Sequence, residues 1–281
     1  MYTLKDQFKT LTDHISKAFL DAPEVDGAKW QSVSAPQPMV ELFNKSFTLD
    51  LRGEDDLAFI AEAIKPNLPW ADRHFTEERV SGEPINPGET WKIWPYSRSA
   101  STHLRDGENI AQYDHSYAER YWPRYAGKTV GGYTPSDDSG WTPEPNQGIR
   151  FPIGDLTDLV QILLGDPLTR QAYLPIFFPE DTAAAHMGGR VPCTLGYHFI
   201  RRPMGNFGDF LHIIYPMRSC DYVRHFRDDV YLTIRLLLWV LKQCQLRNPE
   251  EWNEVHPGTF RMHITSLHMF KQDRQNLRNA Q

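Results

Sequence analysis

The stretch from Arg190 to Cys244 constrains the fold more than any other part of the chain. Thr194, Gly196, His198 and Ile200 alternate with Leu195, Tyr197 and Phe199, the two-residue period of a strand. The segment PMGNFGD supplies the Gly and Asn of a reversal, and residues 210–215 read as a returning strand. Further on, Asp228 and Asp229 stand where a long apolar helix begins, and acids are favoured at the positive N-terminal end of a helix. Strand, return and helix bring Cys193, Arg218, Ser219 and Asp221 into one neighbourhood with those two acids. That is a candidate active site.

Composition limits what surrounds it. At 281 residues the chain is long enough for a full core, and no repeat, low-complexity tract or evident second domain interrupts it. A single domain over residues 1–281 is expected, with an irregular aromatic-rich insert at about 95–150. The charged fraction of 23% and hydrophobic fraction of 40% are those of a soluble globular protein. A net charge of −6 argues against a broad nucleic-acid-binding surface and leaves room for a local anion site. Three cysteines without CxxC spacing predict free thiols in a reducing interior. The start, MYTLKDQFKTL, lacks an apolar signal core, and the longest apolar run, 236–241, is too short to span a bilayer. A cytoplasmic protein with no membrane partner is the expectation.

Along the chain, Phe8, Leu11, Ile15, Phe19 and Leu20 predict an amphipathic helix over 5–20, and residues 40–51 alternate like a strand. Helices are predicted over 55–64 and 70–80, then a turn-rich loop over 82–91. The helical period returns over 153–164, with Asp155 as its cap. Residues 172–178 read as a strand that Pro175 confines to an edge or a bulge, and residues 256–270 as the last strand. These elements predict an α/β (α+β) protein with a mixed, largely antiparallel sheet packed by helices.

The chemistry carried by these residues has two readings at each point. Arg218 beside Cys193 would favour the thiolate and make a nucleophile, whereas a lone cysteine also serves as a small buried hydrophobe. Arg218, Ser219 and Asp221 combine a fork of donors, a hydroxyl and a carboxylate, which suits a phosphate grip or an ordinary ion pair at a strand end. Arg170, after GDPLT, is a second candidate anion ligand. Histidines 212, 225, 256, 263 and 268 lack the spacing of a zinc site, so no metal is expected.

In this order the motifs resemble those of the thymidylate synthase superfamily, and within it the deoxycytidylate hydroxymethylases of bacteriophages. RVPCTLGYHF is similar to the family's Pro-Cys nucleophile segment, MRSCD to its Arg-Ser-x-Asp motif, and FRDD to the phage enzymes' Phe-Arg-Asn-Asp. GTFRMHITSLHMF resembles the closing segment with the nucleotide-binding histidine, and GDPLTRQAYLPIFFPED the segment that lends an arginine across a dimer. NPGETWKIW resembles a Pro-Gly-Glu-Thr…Ile-Trp block. The likeness is clearest over 153–272 and extends to about residue 67.

The resemblance implies one-carbon transfer from 5,10-methylenetetrahydrofolate to C5 of a pyrimidine nucleoside monophosphate, in a homodimer. Cys193 would add to C6, with Tyr117 nearby. Arg218 and Ser219, with Arg170 of the other subunit, would hold the phosphate, and His268 the ribose. Asp221 and Trp94 would serve the folate side. Asp229 stands where thymidylate synthases carry asparagine, and a carboxyl there fits the amine and ring nitrogen of cytosine. Hydroxymethylation of dCMP is therefore expected, with methylation, a dUMP or CMP substrate, or a non-catalytic nucleotide- or RNA-binding relative as alternatives. Three positions depart from the family pattern. Its paired arginines appear as Arg170-Gln171, its closing tyrosine as Phe270, and a gapless alignment places Asp72 where the catalytic glutamate stands.

Overall fold

A computed structural model of the chain describes residues 2–26, 37–96, 103–105, 110–112, 115–122, 154–186 and 189–279. Most of the insert expected at 95–150 lies outside the described residues. Helix α1 (Leu4–Asp21) begins at Thr3, whose hydroxyl accepts from the Asp6 N–H while the Asp6 carboxylate accepts from the Thr3 N–H. Strands β1 (Glu24–Val25) and β2 (Met39–Asp50) follow, then helices α2 (Leu57–Ile64), capped by Asp56, and α3 (Trp70–Arg73). From His74 to Arg79 the chain winds as a π-helix, where a plain helix is predicted, and Glu89–Ile93 forms a 3₁₀ turn at the end of the predicted loop.

A short hairpin of β3 (His103–Arg105) and β4 (Ile110–Gln112) precedes helix α4 (Tyr117–Tyr121). Helix α5 (Leu156–Gly165) starts at the predicted cap, Asp155, in a reciprocal box with Asp158. The remaining order is β5 (Tyr173–Pro175), α6 (Pro179–His186), β6 (Gly196–Pro203), β7 (Asp209–Asp221), α7 (Phe226–Arg247), α8 (Pro249–Trp252), β8 (Val255–Phe270) and α9 (Lys271–Asn279). The sequence reading did not anticipate α6, which carries little apolar periodicity, or α9, whose polar sequence holds a single apolar residue, Leu277.

One sheet runs β1-β2-β8-β7-β6-β5, and Pro175 sits in its edge strand. Its pairs are antiparallel except β7–β8, so the sheet is mixed and largely antiparallel, as expected. The parallel pair arises because α7 and α8 carry the chain back to the end where β7 began. One sheet face buries Tyr197, Phe199, Ile213, Tyr215, Phe260, Met262 and Ile264, and α7 buries Val230, Ile234, Leu237 and Leu241 in the same core. Phe226 locks the helix start between Phe8 and Phe47, with ring centroids at 6.1 and 5.4 Å. Burying such a ring stabilises the fold by about 1.5–3 kcal/mol. The opposite face keeps His198, Ile200, His212, Ile214, Pro216 and His263 partly exposed. Among the described residues no helix is long and apolar enough to cross a membrane.

Candidate active site

The parallel register sets Ser219 beside Ser266 and Asp221 beside His268 at the C-terminal ends of two adjacent strands. A bridge between Thr194 and Met217 lays the segment before β6 along the same end of β7. Arg218 then fixes that segment. Its backbone N–H donates to the Cys193 carbonyl at 2.9 Å, Nε to the Pro192 carbonyl at 2.8 Å, and Nη2 to the Val191 carbonyl at 2.9 Å. The same Nη2 lies 3.7 Å from Cys193 Sγ. Burial pushes the Cys193 thiol up, against the Arg218 guanidinium, which favours the thiolate; burial prevails.

Asp229 stands in the first turn of α7, and the Cys220 thiol of β7 lies 3.6 Å from its Oδ2. Burial pushes its carboxyl up to about 7 against the pull of Arg79, and the neighbouring Asp228 adds to the rise. Tyr117 shares a hydrogen bond with Thr194 at 2.9 Å, and Thr194 shares one with Tyr215 at 2.8 Å. The residue after the cysteine is thus tied to the site wall. Ser219 Oγ and His268 Nδ1 stand 3.4 Å apart. Cys193, Arg218, Ser219, Asp229, His268 and Tyr117 all keep part of their surface open. Six of the residues singled out from sequence therefore share one neighbourhood.

The others stand differently. Asp221 is buried, and its Oδ1 accepts from the backbone N–H groups of Val223 and Arg224 at 2.9 and 3.0 Å. Its Oδ2 accepts from Arg224 Nη1 at 3.1 Å, which leaves one lone-pair direction on that oxygen. Arg224 also pairs with Asp273 and covers the Phe270 ring at 4.6 Å. Trp94 packs tilted against His225, with ring centroids at 4.9 Å and planes 33° apart. The His225 imidazole is lowered to about 4, chiefly by burial, and is neutral near pH 7. Asp72 accepts from Tyr231 Oη at 2.7 Å and pairs with Arg235, both on α7. Arg170 is exposed on the turn before β5, where its carbonyl accepts from His198 Nε2 at 3.0 Å. The start of β5 pairs with His198 in the first part of β6, beyond Cys193 along the chain.

Asp228, read from sequence as a helix-start acid, is buried and accepts from the Asn67 N–H and Nδ2, each at 2.7 Å. It ties α7 to the segment entering α3. Among the described residues, no three His, Cys, Asp or Glu side chains converge as a metal site requires.

Among solved structures the chain is similar to thermostable thymidylate synthase A from Bacillus subtilis. The TM-score is 0.53, with 12% sequence identity over 98% of this chain and 83% of that one. The fold is thymidylate synthase-like. No protein-family model matches the sequence, and no curated protein does either. Within this thymidylate synthase-like fold, sequence reasoning missed Thr194, Tyr215, His74, Glu78 and Arg79. The first two stood in an alternating strand pattern with nothing to separate them from core positions. His74 and Glu78 have the spacing of one helix face, and that was the available signal. Arg79, in the run TEER, has the appearance of a solvated helix end.

Proposed function

We propose that this chain transfers a one-carbon unit to C5 of a pyrimidine nucleoside monophosphate, and that its reaction is hydroxymethylation of dCMP. The observation that carries the reading is Cys193 held beside Arg218, with Asp229 at the same open site, in a thymidylate synthase-like fold. In this reaction Cys193 sulfur bonds to C6 of the base and makes C5 nucleophilic. Arg218 has spent Nε and Nη2 on the Cys193 segment, so Nη1 is the nitrogen left for the 5′-phosphate, with Ser219 beside it and Arg170 from a second copy. His268 bonds the ribose. Asp229, protonated, donates to the ring nitrogen of cytosine and accepts from its exocyclic amine. A carboxyl pushed up to about 7 holds that proton at neutral pH far better than an ordinary aspartate.

5,10-Methylenetetrahydrofolate fits the residues on the other side, where Trp94 offers a partly exposed ring and Asp221 retains one acceptor direction. When bound, it supplies the carbon at the level of a methylene group. Water completing that carbon gives hydroxymethyl, whereas hydride gives methyl. The partly exposed sheet face with Ile200, Ile214 and Pro216 supports a homodimer packed there, and His198 of that face bonds the Arg170 carbonyl.

The test is a product assay with dCMP, CMP and dUMP, each with methylenetetrahydrofolate, read by mass spectrometry. A hydroxymethyl gain on dCMP is expected. Release of tritium from C5-labelled nucleotide should accompany it and disappear in Cys193→Ala; full activity in that variant would remove Cys193 from the chemistry. A second reading, a nucleotide-binding relative without turnover, draws on the raised Cys193 thiol and the engagement of Asp72 with Arg235. Nucleotide bound tightly with no tritium release would favour it.

A further inference from the structure

Strand β2 brings a carboxylate beside His268 that the reaction above leaves unused. Glu41 stands directly across from His268 in the antiparallel β2–β8 pair, and His268 directly across from Asp221 in β7. Side chains opposite each other in such a pair share a face, with Cβ atoms about 4.5–5.5 Å apart. Hydrogen bonds on both flanks agree. The Ser266 hydroxyl, two residues before His268 on β8, donates to Glu41 Oε1. On the other flank, Ser219 Oγ lies 3.4 Å from His268 Nδ1. Ser266 and His268 alternate with the buried Leu267 and Met269, which sets both polar side chains on one side of β8. Glu41, Ser266, His268 and Ser219 thus form one polar row across three strands, each partly exposed.

The bonds along this row are incomplete. A carboxylate only accepts, so the Ser266 hydroxyl has given its one proton to Glu41. Glu41 Oε2 has neither a hydrogen-bond partner nor a paired cation among the described residues. Burial lowers His268, against the pull of Asp221 and Glu41, and the ring is neutral near pH 7. A neutral imidazole has one nitrogen to donate and one to accept. Phe270, next on the same side of β8, brings a ring without a hydroxyl, and Arg224 covers it at 4.6 Å.

In the reaction above His268 bonds the ribose. dCMP has a single free sugar hydroxyl, at C3′, because the base occupies C1′ and the phosphate C5′. That hydroxyl has one proton to give and two lone pairs to receive. The imidazole N–H serves a lone pair, and the open oxygen of Glu41 takes the proton. We propose that Glu41 is the acceptor of the nucleotide's 3′-hydroxyl, and that its charge restricts the site to nucleotides whose 3′-hydroxyl is free.

The inference rests on the nucleotide site of the proposed reaction and not on the one-carbon step. It makes the substrate a free mononucleotide. A 3′-phosphate, whether of a bisphosphate or of a nucleotide within a strand, would meet the Glu41 carboxylate with like charge, and such repulsion is how a site rejects a near-identical ligand. If the Glu41–Ser266 bond only pinned β2 to β8, removing it would weaken the fold and leave ligand preference alone.

The test is calorimetric binding, without folate, of dCMP, 2′,3′-dideoxycytidine 5′-monophosphate and 2′-deoxycytidine 3′,5′-bisphosphate to wild type, Glu41→Ala and Glu41→Gln. Wild type should bind the dideoxy nucleotide ~10–10²-fold more weakly than dCMP, the loss expected for a hydrogen bond to a charged group. In Glu41→Ala that ratio should shrink about tenfold, because dCMP loses affinity and the dideoxy nucleotide does not. Glu41→Gln keeps a neutral acceptor and should fall between the two. Both variants should bind the bisphosphate about tenfold better relative to dCMP. Ser266→Ala frees Glu41 from its anchor, should reduce the 3′-hydroxyl preference a few-fold, and decides the matter if the Glu41 variants do not fold. A preference unchanged in Glu41→Ala would overturn the proposal and leave the reaction standing. A wild type that binds no nucleotide would overturn both. The expected ratios without turnover of dCMP would sink the reaction but keep Glu41 as the reader of the sugar.

Discussion

Asp229→Asn separates the folding cost of this carboxyl from its role in the reaction. Burial pushes the Asp229 carboxyl from its ordinary 3.8 up to about 7, against the pull of Arg79. A folded value above the unfolded one means that the folded chain binds this proton more tightly. Its contribution to stability is complete below about pH 4 and is lost as pH rises through about 7. A gap of about three units, at roughly 1.4 kcal/mol each, gives a ceiling of about 4 kcal/mol. The side chain is partly exposed, and screening by water brings the expectation to roughly 2–4 kcal/mol. Asparagine has the same shape and no proton to lose. Urea denaturation of both proteins from about pH 4 to 8 should show a stability difference that grows in favour of the variant and then levels off. Titrations elsewhere in the chain cancel in the comparison. A difference flat across that range would refute the account of Asp229 as a strained, protonated carboxyl.

Further outcomes follow from the same geometry. In nucleotide assays, Asp229→Asn should move preference from dCMP towards dUMP by at least ~10²-fold; an unchanged ratio would remove Asp229 as the reader of the base. Arg218→Met should raise the Cys193 thiol further, because an opposite charge this close is worth about 1–3 pKa units. The pH at half-maximal alkylation should rise accordingly, and an unmoved profile would contradict the 3.7 Å contact. Asp228→Ala removes two bonds to Asn67 and should cost about 2–4 kcal/mol; a loss below ~0.5 kcal/mol in urea titration would show the tie to be slack. Asp72 is half exposed and paired with Arg235. Asp72→Asn is expected to cost no more than ~1 kcal/mol and to leave turnover within a few-fold, whereas a ~10²-fold fall in kcat would place it in a proton relay.

The sequence by itself determined the local elements and the neighbourhood of the thiol. Thr3 and Asp155 cap helices because a capping box is written within four residues. The reversal at 203–209 aligns β6 with β7, so Cys193 and Arg218 had to fall near each other. The strands themselves, with Pro175 confined to an edge, were legible for the same reason: their signals are periodicity and turn chemistry, which act over a few residues.

Tertiary structure decided the rest. That β8 inserts between β2 and β7, setting His268 beside Asp221, depends on partners tens of residues away. Asp228 looks like any helix-start acid until Asn67 arrives from another element. Asp72 matches a catalytic position by counting, yet its carboxylate meets Tyr231 and Arg235. Arg79, written in a charged run, is buried because a π-helix turns it inward under Tyr117. What a charged side chain does is set by the groups that surround it once water is removed, and their arrangement exists only in the folded chain.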